Sequence, residues 1–384
     1  MPRFNSGDRV RGVWVTLAVI ATVTSCAFLA GCGGGSSNNS TNNPPAVPLG
    51  PVKMNVLTPD KAGQFTADIQ NFVLNNPAAP VSGFSFQVSW SDADSGTGQY
   101  DFSTWDSKIM PWAANGKKVN LIVWAVSDAP SGGANAATPG YVMTNLRAVG
   151  NTTFCSGTEY PNYFDVTNFQ QPYQAFMSAV VDHYKSNASV GYIRFGLGHG
   201  GEGSPTNLSI QDCLGTFDAW SPGGMFTSSV WANNYLLPML DFEHTLNASP
   251  IQLLVGISTV LGDNKAADLE AQRAVQYKFG FGTQGLSQLD VSGYPNCGAD
   301  WCNLFNQYAG QVPLELQTVS ASDPLGTDPN NLTGSLVNLL PFAAQHHATI
   351  LELYWQDWLA AFDPNYPGYT NAYGSVFTST SSGQ

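Results

Sequence analysis

The sequence predicts one (β/α)8 barrel behind an export signal and a linker. Short β-rich runs alternate with amphipathic segments from Val52 onward, eight strands in all. Alternation of that kind builds a parallel sheet covered by helices. The 384 residues suit a closed eight-unit barrel with long loops. Hydrophobic residues make up 43% of the chain, enough for a large core. An open doubly wound sheet is the alternative, and no repeat of roughly 20–50 residues is visible.

Residues 1–31 read as an address. Arg3, Arg9 and Arg11 form a positive start, and the apolar run Val13–Ala30 ends in Leu29-Ala-Gly-Cys32. That ending resembles the bacterial lipobox, whose cysteine is acylated. The resemblance implies lipidation at Cys32 and a protein exported and lipid-anchored to the bacterial cell envelope. A transmembrane anchor is the competing reading, because the run is near the ~18 residues that span a bilayer. Residues 32–50, rich in Gly, Ser and Asn and without charge, form a flexible linker. Residues 51–384 are left for a single barrel domain.

Strand 1 is expected at Val52–Leu57, with a helix around Phe65–Leu74. Strand 2 spans Gly83–Trp90 and leads to a helix around Ser103–Ala114. Strand 3 is Lys118–Val126, followed by a long excursion and a helix around Asn168–Lys185. Strand 4 is Gly191–Leu197 with a helix around Asn233–Leu246, and strand 5 is Gln252–Ile257 with a helix around Lys265–Tyr277. Strand 6 is expected at Ser287–Gly293. Strand 7 is Val312–Thr318 with a helix around Leu332–His346, and strand 8 is Thr349–Trp355.

Charged residues are only 11% of the chain, against roughly 25% in an average soluble protein. With 12% aromatics, the surface suits neutral, hydroxyl-rich ligands. Net charge is −13 and no Lys/Arg cluster exists, which excludes a nucleic-acid footprint. Four cysteines lie beyond the signal: Cys155, Cys213, Cys297 and Cys302. An even number in an exported chain suggests two disulfides, Cys155–Cys213 and Cys297–Cys302. Metal binding is the competing reading, but neither C-x-x-C spacing nor a matching His pair is present. No metal or cofactor is expected, and the protein is expected to be monomeric.

Only six residues are Glu: Glu159, Glu202, Glu243, Glu270, Glu315 and Glu352. Three fall where a barrel keeps its chemistry, on or just past strands 4, 7 and 8. Glu315 in Pro313-Leu-Glu-Leu-Gln-Thr318 and Glu352 in Ile350-Leu-Glu-Leu-Tyr-Trp355 are each flanked by Leu. Alternation sends the leucines toward the helices and each Glu toward the barrel axis, with Gln317 or Tyr354. The bland alternative for both is a buried structural carboxylate paired with Arg194 or a tyrosine. Glu243 and Glu270 are expected on solvated helix faces, and Glu159 in a loop. Two carboxyl groups across a pocket are what glycosidic cleavage needs: one protonates the leaving oxygen, the other attacks the anomeric carbon or activates water. Trp90, Trp124, Tyr294, Trp301, Trp355 and Trp358 near strand ends offer flat faces for sugar rings, with core packing as the alternative for each.

Gly83-Phe-Ser-Phe-Gln-Val-Ser-Trp90, Gly98-Gln-Tyr-Asp101, Trp105-Asp106 and Gly116-Lys-Lys-Val119 resemble strands 2 and 3 of clan A glycoside hydrolases. The resemblance is spread over Val52–Asp363. It implies a retaining enzyme with its acid/base Glu after strand 4 and its nucleophile Glu on strand 7, positions matched by Glu202 and Glu315. Asp290-Val-Ser-Gly-Tyr294 resembles strand 6 of the clan, whose Tyr hydrogen-bonds the nucleophile. Tyr354-Trp355 resembles the strand-8 aromatic that floors the sugar site. Gly201 stands where the clan has Asn, Gln87 replaces its strand-2 Arg, and Trp124, Ser127 and Asp128 lie where a His ends strand 3. The expected substrate-binding set is therefore Trp90, Trp124, Asp128, His199, Tyr294, Gln317, Glu352 and Trp355. Gly196-Leu-Gly-His-Gly-Gly-Glu202 also resembles the acid-bearing loop of β-amylases, which invert, so the stereochemistry stays open.

That stretch contains G-x-G-x-x-G, but Gly203-Ser-Pro-Thr-Asn does not open a helix, which argues against a dinucleotide site. No G-x-S-x-G elbow is present. A non-catalytic carbohydrate-binding lipoprotein on the same barrel is the second hypothesis.

Overall fold

Eight parallel strands close on themselves in the computed structural model: β1 (Lys53–Thr58), β2 (Gly83–Ser89), β3 (Lys118–Val126), β6 (Val190–His199), β7 (Gln252–Gly256), β8 (Gly280–Leu286), β9 (Leu314–Thr318) and β10 (Ile350–Tyr354). They pair in chain order, and β10 returns to β1 with Asn55 beside Glu352. The strands β4 (Thr152–Cys155) and β5 (Thr158–Pro161) form an antiparallel hairpin inside the long excursion after β3. The structure describes residues 52–58, 69, 71–73, 75–96, 99–127, 137–155, 157–206, 210–292 and 301–382. The signal, Cys32 and the linker lie outside them, as do Asp128, Tyr294, Cys297 and most of the expected first helix.

Seven strands fall where expected, and the sixth does not. Ser287–Gly293 carries the helix Gln288–Ser292 instead, started by Ser287 N and Oγ donating to Asp290 Oδ2 at 2.7 and 3.2 Å. The sixth barrel strand is β8, Gly280-Phe-Gly-Thr-Gln-Gly-Leu286. Three glycines give it poor intrinsic strand character. For Gly280 and Gly282 the reason is tertiary, since a Cβ there would strike a neighbouring strand. A Cβ on Gly282 would stand 2.3 Å from the Glu315 carbonyl oxygen and 2.7 Å from its Oε2.

The strands separate two interiors. Outward-facing Leu314, Leu316, Leu351 and Leu353 join the apolar layer beneath the helices, all at 0% exposure. Inside the barrel only Leu57, Ile122, Tyr192, Leu254 and Ile350 form an apolar plug, against which Trp124 and Tyr354 pack. The rest of the lumen is polar. Two helices of the outer layer, Gln171–Tyr184 and Leu237–Thr245, each begin with a single π turn, Val166–Gln170 and Ala232–Leu236. Tyr173, in the helix after the first turn, and Tyr235, in the second turn, reach the carbonyls of Gly196 and Leu197 in β6.

Cys155 and Cys213 are joined, 58 residues apart in sequence, with Cα atoms 5.6 Å apart. The bridge ties the β4–β5 hairpin to the segment after β6. Cys302 is also disulfide-bonded, and its expected partner lies outside the described residues. Three expectations for the glutamates need correction. Glu159 sits in β5, buried, and accepts from Arg147 Nε at 2.9 Å. Glu243 and Glu270 are not solvated: they are 1% and 0% exposed, because their helices turn those faces to the barrel wall.

Candidate active site

Glu315 and Glu352 both point into the lumen, as the Leu-Glu-Leu alternation dictates. Arg194, from the middle of β6, donates through Nη1 to both Glu315 oxygens at 2.5 and 2.6 Å, and through Nη2 to Gln317 Oε1 at 3.2 Å. All three side chains are buried, Arg194 and Glu315 at 0% exposure. Burial, the largest single influence, would lower the Arg194 pKa; the charge and hydrogen bonds of Glu315, with Tyr192 and Glu352, together outweigh it and the net shift is upward. Glu352 lies one strand further round. It accepts from Asn55 Nδ2 at 2.7 Å and from the Tyr192 hydroxyl. Ser85 and Asn120 extend this network across β2 and β3. Burial, and then the charge of Glu315, push the Glu352 carboxyl upward. Arg194 thus holds Glu315 and Gln317, while Asn55 and Tyr192 hold Glu352.

Glu202 approaches from above. After β6 the chain makes a tight turn over His199–Glu202, closed by Glu202 N donating to His199 O at 3.1 Å. Both central residues, Gly200 and Gly201, have positive φ, 62° and 82°. A turn of that hand strongly favours glycine. The turn then folds down onto the barrel rim. Gly201 covers Gly196 so closely that a Cβ on Gly196 would meet Gly201 Cα at 2.3 Å. A Cβ on Gly256 would meet Glu202 Cα at 3.0 Å. Buried aromatic donors from the helix layer hold the backbone: Tyr173 Oη to Gly196 O, Tyr235 Oη to Leu197 O and Trp231 Nε1 to Gly203 O, at 3.0, 2.5 and 2.7 Å. The Glu202 carboxyl accepts from Ser258 Oγ at 2.8 Å and from the Gln284 backbone N–H. Burial raises its pKa; those two bonds and the charge of Arg194 oppose the rise without cancelling it, while the charge of Glu315 adds to it. Gln284 Nε2 in turn donates to Gly200 O at 2.8 Å.

The other expected residues divide. Trp124 is half-buried at the rim, its indole under Gly201, with Nε1 unpaired. Trp355 is half-buried at the end of β10 and Gln317 lies beside Arg194. His199 is buried at the base of the turn, its ring 5.9 Å from that of Tyr160. Trp90 is corrected: at 0% exposure it packs on Phe169, Tyr173 and Phe176, and its Nε1 donates to Asp94, so it is a core residue and offers no sugar face. Trp301 and Trp358 are core residues too, because their helices turn them inward. Asp128 and Tyr294 lie outside the described residues.

Sequence reasoning missed Ser258 and Gln284, the two partners of Glu202. Ser258 lies just past β7 and was findable as a polar residue at a strand end. Gln284 was hidden by the misplaced sixth strand. Among the described residues no three His, Cys, Asp or Glu side chains converge on a metal position.

The architecture is a closed parallel barrel with Glu315 and Glu352 on its strands, facing the lumen, and Glu202 just past the C-terminal end of β6. Comparison with solved structures agrees on the fold. The catalytic domain of a β-amylase from Paenibacillus polymyxa matches with a TM-score of 0.60 and 13% identity, over 86% of this chain and 98% of that domain. A β-galactosidase from the psychrophilic Marinomonas ef1 matches with a TM-score of 0.51 and 10% identity, over 85% of this chain and 59% of that one. No protein-family profile and no curated protein matches the sequence.

Proposed function

We propose that this protein is an exported glycoside hydrolase that cleaves O-glycosidic bonds of an oligo- or polysaccharide with two carboxyl groups. The observation that carries the reading is the contrast between them. Glu202 sits half-buried at the rim, where burial raises its carboxyl above the usual range. Glu315 faces a fixed guanidinium below it. Environments that separate two carboxyls in this way separate acid from nucleophile. Glu202 gives its proton to the glycosidic oxygen as the leaving sugar departs, and Glu315 attacks the anomeric carbon to form a glycosyl ester. Glu202 then takes a proton from water, which displaces Glu315. Trp124 and Trp355 supply apolar faces for sugar rings. Lipidation at Cys32 tethers the enzyme to the cell envelope.

One observation favours a second reading, a barrel that binds carbohydrate without cleaving it. Glu315 has no exposed surface and both its oxygens are engaged by Arg194. A panel of polysaccharides and aryl glycosides separates the two. Hydrolysis is expected, lost in Glu315→Gln, and milder in Glu202→Ala on good leaving groups, where azide restores the rate and appears in the product. Retained binding with no sugar released from any substrate establishes the second reading. Release with inverted anomeric configuration leaves the hydrolase and removes the glycosyl ester.

A further inference from the structure

Two carboxyl side chains of the helix layer have no part in that mechanism. Glu243, from Leu237–Thr245, and Glu270, from Lys265–Tyr277, are 1% and 0% exposed. None of their four carboxyl oxygens has a hydrogen-bond partner among the described residues. An ionised carboxylate left so dry and unpaired costs several kcal/mol. Burial first, and then Glu270, push Glu243 well up; burial first, and then Glu202, do the same to Glu270. The titratable groups that face them are acids: Glu202 of the glycine turn, Tyr235 of the π turn Ala232–Leu236, and Tyr173 of the helix Gln171–Tyr184. Both tyrosine hydroxyls are committed to β6 carbonyls. Arg273, on the same helix as Glu270, is engaged by Asp241. No third metal-type ligand joins the pair among the described residues. Two neutral acids are what these surroundings leave.

Their position gives them a role. Glu270 Oε2 stands 2.5 Å from where a Gly203 Cβ would be, and Gly256 O stands 2.8 Å from the same point. Gly203 follows Glu202 directly. Glu270 therefore occupies the space that a side chain at 203 would need and backs the turn from the helix side. Gly196, Gly256 and Trp124 back it from the barrel side.

We propose that Glu270, supported by Glu243, is a positioning residue that holds the exit of the glycine turn and thereby the aim and protonation of Glu202. The inference takes from the proposed function only the role of Glu202, and its test does not involve turnover. With six glutamates in the chain, the full-length protein labelled with 13C at Glu Cδ yields a spectrum whose lines single Glu→Gln variants assign. In the unsubstituted protein the Glu243 and Glu270 lines are expected to keep the protonated position through the range where glutamates of the unfolded chain titrate. The Glu202 line is expected to show a second inflection at the pH where the Glu270 line moves. Glu270→Ala should lower the Glu202 midpoint by about one pH unit or more, about tenfold in proton affinity. Glu270→Gln, neutral and of the same shape, should restore the first midpoint and erase the second inflection. If Glu270→Ala does not fold, the second inflection and its loss in Glu270→Gln decide alone. A Glu202 titration indifferent to both substitutions, with only thermal stability reduced, reduces Glu270 to a structural residue and overturns the proposal. So does ordinary carboxylate titration of Glu243 and Glu270. Lines that move on dialysis against EDTA and return with Ca2+ make the pair a cation site and overturn it as well.

Discussion

Gly196→Ala tests how the glycine turn presents Glu202. The new Cβ would stand 2.3 Å from Gly201 Cα, 3.0 Å from Gly201 C and 2.8 Å from Val123 O. Carbon atoms in contact stand about 3.5–4.0 Å apart. The turn must therefore retreat by more than about 1 Å, because β6 is fixed by β3 and β7 on either side. Glu202, next along from Gly201, moves with it and loses its bonds to Ser258 and Gln284. Overpacking of this size costs about 1–3 kcal/mol. With an unfolding entropy of roughly 2.1 cal/mol/K per residue, a barrel of this length loses about 1–4 °C of Tm. A reacting group misplaced by about 1 Å loses roughly 100-fold in rate. Scanning calorimetry reads the first effect, and hydrolysis of an aryl glycoside with a poor leaving group reads the second. Gly215→Ala is the control, since its Cβ would meet nothing within 4 Å and its φ is ordinary; it should leave both readouts unchanged or raise Tm slightly. Gly196→Ala with the Tm and turnover of the parent protein would refute the placement of the turn.

Arg194→Met strands the Glu315 carboxylate in the lumen and is expected to cost about 3–5 kcal/mol in urea unfolding, much of it recovered in the double variant with Glu315→Leu. If the double variant is no more stable than Arg194→Met, the ion pair is not what the arginine contributes. Asp357, buried where it accepts from Ser322 N and Oγ at 2.9 and 2.5 Å, has its carboxyl pushed up to about 7 by burial. A carboxyl raised on folding holds its proton when the unfolded chain has released it. Asp357 should therefore contribute a fall in stability of about 1.4 kcal/mol per pH unit from near pH 4 to about pH 7, and Asp357→Asn should make the slope shallower by that amount. Urea unfolding at a series of pH values measures it, and equal slopes in both proteins count against it. Cys32→Ala is expected to move the protein from the membrane to the soluble fraction with its fold intact; a variant that stays membrane-bound and uncleaved marks the segment as a transmembrane helix.

The barrel was legible because seven strands carry their own β-rich runs and because Leu-Glu-Leu has only one sensible orientation in a wall with an apolar outside. That alternation by itself places Glu315 and Glu352 in the lumen. Pairing with Arg194 or a tyrosine was also legible as an alternative for both, since a lumen carboxylate needs a partner; only the tertiary structure gives Arg194 to Glu315 and Tyr192 to Glu352. The aromatic residues were not legible in the same way. Trp90 and Trp124 both sit at strand ends, yet one is fully buried by the helix Gln171–Tyr184 and the other reaches the rim. A tryptophan serves either surface, and nothing local distinguishes them.

Local pattern alone thus determined the period of seven strands, the lumen face of Glu315 and Glu352, and the glycines after β6 that permit a tight turn. Tertiary packing decided the rest. The sixth strand is glycine-rich because Glu315, 33 residues later, needs the space of a side chain at Gly282. Glu243 and Glu270 look like ordinary charged positions on amphipathic helices, and only the wall of β6 and β7 shows that they are buried. A strand propensity or a helical period is a property of neighbouring residues. The volume that a side chain may occupy, and the charge that it may keep, depend on residues far along the chain that folding brings within a few ångströms.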